Sequence, residues 1–296
     1  LSSKDADTAF TSGLLHDLGR VIFAEAIGDR YIEVLEMSAR LRAPLELVES
    51  RMLLLNHADV MDRLLTAWKF PKHLVDPIMF HHLSAGNVRT AVPARAQEVL
   101  RLGLANRLTH AMLLGCSGNE TIYSTDGHCT ALGVNGSTIR LIEDSARQQT
   151  DDTKFALMCA STAHSDWPRR SDQIRARLGA PIRPLFVSAS PDIDAFRIFC
   201  STLAGPPTDD RPNLLVLHVR GMKERDQLIT RAIAAERAAE VSSLPLITLS
   251  PAGQVELPES IASTRACRPL PTPLSVRSFI DAANELLGLA SVSRAA

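Results

Sequence analysis

Apolar positions along the chain recur in two rhythms. From residue 7 to about 114 they return at three- and four-residue steps, the spacing of helices with one buried face. Phe10, Leu14, Leu15, Leu18, Val21 and Ile22 predict a helix over 7–27, capped at Ile27-Gly28. Tyr31, Leu35 and Ala39 share a face of a second, over 30–41. Ala43-Pro44 opens a third that runs to about Phe70, with Leu47, Leu54, Ala58, Met61 and Leu65 inward. Pro71 starts a short helix carrying Val75, Ile78 and Met79, in which Pro77 predicts a kink or break. Ala91, Ala94, Val99, Leu102, Ala105, Leu108 and Met112 predict a helix over 91–114. Residues 115–150 are more polar, with turns expected at Ser117-Gly118-Asn119 and Asp126-Gly127. Two more helical pieces are predicted at 135–147 and 152–163.

The second rhythm begins near Ile182. PLFVSAS (184–190), NLLVLHV (213–219) and LPLITLS (244–250) are short continuous apolar runs. Helical patterns lie between them, in DIDAFRIFCSTL and ERDQLITRAIAAERAAEV. PLSVRSFIDAANELLGL closes the series, with Phe279, Ile280 and Leu286 inward. Apolar strands alternating with helices indicate a parallel sheet covered on both faces. Residues 165–184, with three prolines and five arginines, read as a linker, and RPLPTP as rigid loop. The chain is therefore expected to be multidomain: an all-α domain over 1–175, then a smaller α/β domain over 182–296.

Composition narrows the function classes. The net charge of -1 gives no bulk drive toward nucleic acid or anionic membrane. Aromatics at 4% leave few surfaces for base stacking. The five cysteines, Cys116, Cys129, Cys159, Cys200 and Cys267, are scattered and form no CxxC. Free, mostly buried thiols in a reducing, cytoplasmic compartment are expected. No apolar run has the length of a membrane span, and no signal peptide opens the chain.

The chemistry concentrates in the helical half. His16-Asp17, His57 and His81-His82 place imidazoles on three segments and add one carboxylate. Each alone is an ordinary packed or surface residue. Together they are donors suited to Zn, Fe, Mn or Ni, and two such ions can activate water against a phosphate ester.

GLLHDLG, followed by NHADVMDRLLTAWKFPKHLVDPIMFHH, resembles the HDOD family, a branch of the HD superfamily of metal-dependent phosphohydrolases. His16-Asp17, His57, Trp68, Phe70-Pro71 and His81-His82 carry the resemblance over residues 7–114, and Met61 replaces a usual glycine. The family's front helices have no counterpart, so the resemblance reads the domain as lacking its N-terminal part. Catalytic relatives also need an upstream histidine and a late aspartate. No histidine precedes His16, and Asn106, in LANRL, stands at the aspartate position. Related cyclic-di-GMP phosphodiesterases carry a DGxGYP loop after HH, where this chain has LSAGNVR. The resemblance implies a non-catalytic bacterial signalling module with at most a weakly held divalent transition metal. The alternative is a phosphohydrolase or cyclic-dinucleotide phosphodiesterase.

The second half resembles a response-regulator receiver domain without its acids. In PLFVSASPD, Ser188 and Ala189 stand at the Mg-binding acidic pair. In RPNLLVLHVRGM, His218 stands at the phosphoacceptor aspartate. Ser250 falls at the Ser/Thr position, and Thr272 replaces the lysine. Only thirty residues separate Ser188 from His218, too few for the receiver's second strand and helix. A generic flavodoxin-like α/β domain is the alternative. The resemblance implies protein partners: other signalling proteins or a second copy, through residues 223–240, the last helix and the face near 251–290. A cyclic dinucleotide is a lesser alternative; from composition, nucleic acid is not the expected partner, and no membrane is expected.

Overall fold

The computed structural model describes residues 3–115, 118–160, 169–206, 211–252 and 255–288. Cys116, Ser117 and residues 165–168 of the expected linker lie outside these, as do residues 161–163 of the expected helix 152–163. The chain is mostly helical, with a parallel four-stranded sheet in its C-terminal part. Contacts divide it into two compact units, residues 1–108, 117–121 and 125–134, and residues 109–116, 122–124 and 135–296.

The first unit holds α1 (Ser3–Leu15), α2 (Leu18–Leu41), α3 (Leu45–Leu53), α4 (His57–Ala67), α5 (Lys72–Phe80) and α6 (Ala85–Ala91). Most of α7 (Ala96–Ala111) and all of α8 (Asp126–Leu132) belong to it as well. The expected helix over 7–27 is corrected: it breaks at His16-Asp17, with Asp17 as the N-cap residue of α2. Gly28 breaks α2 as expected: its φ of 38° and ψ of -110° are non-helical, and the span is two helical segments meeting at a kink there, the second running to Leu41, where Arg42 caps it in the left-handed region. Phe10, Leu14 and Val21 are exposed, and Leu15, Leu18 and Ile22 face the core.

The expected helix 44–70 is also two helices. Leu54, left-handed and 90% exposed, ends α3. Asn56 then caps α4: its side chain accepts from the Ala58 and Asp59 amides, and Asp59 accepts from the Asn56 amide at 2.8 Å. Pro77 sits inside α5 without ending it. The expected helix 91–114 starts late: Ala91 ends α6, and a 3₁₀ turn at Pro93–Arg95 precedes α7. Met61, in the usual glycine position, is fully buried with Leu65, Val75 and Ile78.

The second unit contains α9 (Gly136–Ala160), one helix where two pieces were expected. α10 (Arg170–Arg175) folds within the expected linker and buries Ile174. Then follow β1 (Pro184–Val187), α11 (Ala195–Ala204), β2 (Leu214–His218), α12 (Met222–Ala238), β3 (Leu246–Pro251), α13 (Glu259–Ala262), β4 (Cys267–Thr272) and α14 (Val276–Leu286). RPLPTP is not a loop: it forms β4, paired parallel to β3 with Pro269 beside Thr248 and Pro271 beside Ser250. Prolines are tolerated there because β4 is an edge strand.

The strands lie in chain order, β1-β2-β3-β4. On one face Val187, Leu215, Leu217 and Val219 pack beneath Leu228 and Ala232 of α12. His218 alternates with Leu217, so it points to the other face, where Phe196 of α11 meets it with ring centroids 4.7 Å apart. Phe199 of α11 packs on Phe279 of α14 on that same face. So α11 and α12 each join a strand to its neighbour in the same lateral direction, from opposite faces. Their connections have opposite hands, although about 98% of such crossovers are right-handed.

Candidate functional site

His16 and Asp17 occupy the turn between α1 and α2, not the middle of a helix. His16 Nδ1 lies 2.7 Å from the Gly13 carbonyl, an acceptor in the last turn of α1. Asp17 projects toward α4. The Asn56 cap fixes His57 as the first residue of α4, and its side chain is wholly buried. The His57 amide, a first-turn donor, donates to Glu49 Oε2 at 3.0 Å, and His57 Nδ1 contacts the same oxygen at 2.6 Å. Tyr31 donates to Glu49 Oε1 at 2.7 Å.

The other edge of the His57 ring is crowded. Nε2 lies 3.3 Å from Asp17 Oδ1, 2.9 Å from His82 Nε2 and 3.5 Å from the Arg20 guanidinium. Arg20 also meets Asp17 Oδ2 at 3.0 Å. His81 is buried, with Nδ1 on the Ile78 carbonyl at 2.6 Å and Nε2 4.0 Å from Asp17. The structure thus brings His16, Asp17, His57, His81 and His82 together. Asn106 is buried on α7, and that helix reaches the pair through Arg107, which donates to the carbonyls of His82 and Leu83.

Burial opposes the charged forms of Asp17, Glu49, His57, His81 and His128, and neighbouring groups reverse it for the first three. It would raise Asp17, but the bond to His57 and the charge of Arg20 outweigh it and hold that carboxyl well below the usual range. Burial would likewise raise Glu49, yet its bonds from His57 hold it low. Burial lowers His57, while Asp17 and Glu49 more than reverse this and favour the imidazolium. His81 is pushed well down by burial and by the charges of His16 and His57, and stays neutral. His128 on α8 is lowered to about 4 by burial and by Arg107. Two carboxylates, Asp17 and Glu49, therefore meet two cations, Arg20 and His57.

These directions set the pH response. His57 contributes stability below its ordinary value near 6.5, lost as pH rises through its raised folded value. His81 and His128 act oppositely: their contribution is full above 6.5 and lost as pH falls, for His128 down to about 4. Asp17 and Glu49 lose theirs at still lower pH. The first unit is expected to weaken between pH 6.5 and 4, with His128 supplying at most about 2 kcal/mol of that loss at pH 5. His128→Gln should flatten this limb in hydrogen-exchange stability measurements. An unchanged slope would remove His128 from the account.

Two groups of these donors are close enough to share an ion. Ligand atoms of His16, Asp17 and His81 lie within 4.8 Å of one another, and so do those of His57, His81 and His82. His16 and His81 each place Nδ1 on a backbone carbonyl, which leaves Nε2 as the ligand nitrogen. That set fits one ion of the borderline type. The other set, His57, His81 and His82, brings no carboxylate, and both His57 nitrogens already have partners.

Two residues of the site were not singled out in the sequence. Glu49 reads as an ordinary polar position on α3. Gly19 reads as part of the HDLG motif. A Cβ on Gly19 would stand 2.1 Å from the His57 carbonyl oxygen, so only glycine lets α2 approach α4 this closely.

In the second unit, Ser188 and Ser250 are buried just beyond β1 and near the end of β3, each with an unbonded hydroxyl. Ala189 is exposed, and Thr272 ends β4 half-buried. His218 is buried and bonds through Nδ1 to Asp194 Oδ2 at 2.6 Å. Asp194 is also the N-cap of α11, accepting from the Phe196 amide. His218 is thereby tied into a buried structural contact.

Residues 1–84 match the family model of the HDOD domain. An uncharacterized protein of Treponema pallidum (strain Nichols) is 31% identical over 74 residues, which cover 25% of this chain and 14% of that protein. The chain thus spans a small part of the relative's length. No solved structure matches. The chain carries an HDOD domain over residues 1–84, the segment that supplies all five clustered His and Asp residues. Among the described residues no helix is long and apolar enough to cross a membrane.

Proposed function

We propose that this chain is a non-catalytic regulatory module of bacterial signalling, working through contacts with other proteins. One observation carries this reading: the charges of Asp17 and Glu49 are balanced by Arg20 and His57, with no ion needed. A hydrolytic metal pair needs several anionic ligands to offset its charge. Here Arg20 pairs with Asp17 and lies 3.5 Å from His57, and Asn106 adds no charge. The His/Asp cluster then serves as a buried polar clamp joining α2, α3, α4 and the end of α5.

The second unit is read as a degenerate receiver-like domain. The opposite hands of α11 and α12 support this. In a doubly wound sheet the first helix leads outward to a strand on the far edge, and later helices cover the other face. Removing that outer strand and its helix joins the first helix directly to the inner strand and leaves it on its original face. Nine residues, 205–213, separate α11 from β2, too few for the missing pair. Ser188, Ala189, His218 and Thr272 supply no carboxylate for Mg, so phosphotransfer is not assigned to this unit.

The metal-bound reading has its own support in His16, Asp17 and His81. An ion held there would polarise a phosphate oxygen or a bound water. His16 and Asp17 would orient it, and His81 would anchor it from the buried side. The test is elemental analysis of the full chain after equilibration with Zn, Mn and Fe, beside Asp17→Ala and Arg20→Ala. The proposal expects well under one ion per chain, rising in Arg20→Ala as Asp17 loses its cation. One tightly held ion per chain, lost in Asp17→Ala and accompanied by phosphodiester hydrolysis, would establish the enzyme instead.

A further inference from the structure

The arginine-rich stretch first read as a linker builds a pocket. Arg147, Thr150, Asp151 and Lys154 fall at three- and four-residue spacing on one face of α9. Against them stand Arg169, Arg170, Ser171 and Arg175, at and within α10, and the backbone turn at Met112–Leu114 closes one side. All of these belong to the second unit. The cavity is about 90 Å³. Among the described residues five cations line it, against the carboxylate of Asp151.

The cations are held in place rather than left to splay. Arg147 donates to Thr202 Oγ1 at 2.8 Å, and Arg175 donates to the Thr202 carbonyl through Nε and a terminal nitrogen. Arg175 also pairs with Asp172 at 2.7 Å, and Arg169 with Asp151 at 2.6 Å. The Lys154 ammonium has no hydrogen bond or ion pair among the described residues, nor has the hydroxyl of Ser171, which is buried. Five cations thus meet two carboxylates, Asp151 and Asp172, and a surplus of like charge is unfavourable unless something offsets it.

We propose that this pocket binds the phosphoryl end of a small phosphate-bearing molecule. Guanidinium groups match phosphate oxygens with paired N–H donors, and lysine adds a point charge. The volume is far below the ~300 Å³ typical of whole-ligand pockets. It therefore takes a phosphate or diphosphate group and leaves the rest of the ligand outside. The site lies outside the matched family region and does not depend on the reading of the His/Asp cluster.

The test is calorimetric titration of the full chain with inorganic pyrophosphate and with ADP, at constant ionic strength, with sulfate as the competing anion. Saturable binding is expected for pyrophosphate. Lys154→Glu and Arg170→Glu should each weaken it at least about ten-fold, the loss of one charge-assisted contact. Arg237→Glu on α12, exposed and carrying the same change in charge, should leave it within about two-fold. Tighter binding of ADP would identify a nucleotide as the source, and equal binding a free phosphate. Lys154→Gln, which removes the charge without reversing it, guards against a misfolded charge reversal, and circular dichroism checks each variant. No saturable binding, the same loss in Arg237→Glu, or equal occupancy by sulfate would overturn the proposal.

Discussion

Replacing Glu49 with alanine is expected to destabilise the first unit by ~3–5 kcal/mol, the cost of breaking a buried ion pair from one side. Glu49 is fully buried, and both its oxygens are used: Oε1 by Tyr31, Oε2 by the amide and ring of His57. Without it the His57 imidazolium faces Arg20 with only Asp17 to offset two cations. His57 then loses its proton, and that escape limits the loss. Glu49→Gln keeps acceptors for Tyr31 and the amide, so it should cost clearly less. Hydrogen exchange over residues 57–67 reads the effect locally, which matters because two units need not unfold together. Equal exchange in wild type and Glu49→Ala would show that α4 does not depend on this carboxylate.

Gly19→Ala is expected to be comparably damaging, by ~3 kcal/mol or more. The added methyl would lie 2.1 Å from the His57 carbonyl oxygen and 2.8 Å from its carbon. Both are backbone atoms at the start of a capped helix, so no rotamer change relieves the clash. α2 must move away from α4, and the move separates Asp17 and Arg20 from His57. The imidazole signals of His57 should shift in NMR spectra together with the loss of stability. Lost stability with an unmoved His57 resonance would refute this coupling between packing and site.

The residues that gather at the cluster were legible in the sequence because their types and order are distinctive. What holds them was not. Glu49 sits in LELVESRML, where an acid three residues after Glu46 reads as a solvated face. Its burial depends on where α2 and α4 lie, which is tertiary information. The break at His16-Asp17 was hidden because apolar residues continue at helical steps through it. Phe10 and Leu14 fit that pattern and are exposed, since periodicity finds an apolar face without saying whether anything covers it. β4 escaped because alternating prolines argue against a strand, and only its edge position permits them. The parallel sheet itself was legible from its uninterrupted apolar runs, and the opposing hands of its connections were not, because handedness has no local signal.

That sheet has two open margins, and the chain treats them alike. At one, Pro269 and Pro271 remove amide donors from β4. At the other, β1 is four residues long and begins with Pro184. An unpaired strand margin is a template on which a foreign strand can grow. Such a margin must not become sticky. Brevity and proline at β1 meet that demand, and they allow a sheet of four strands to persist without recruiting its neighbours into aggregates.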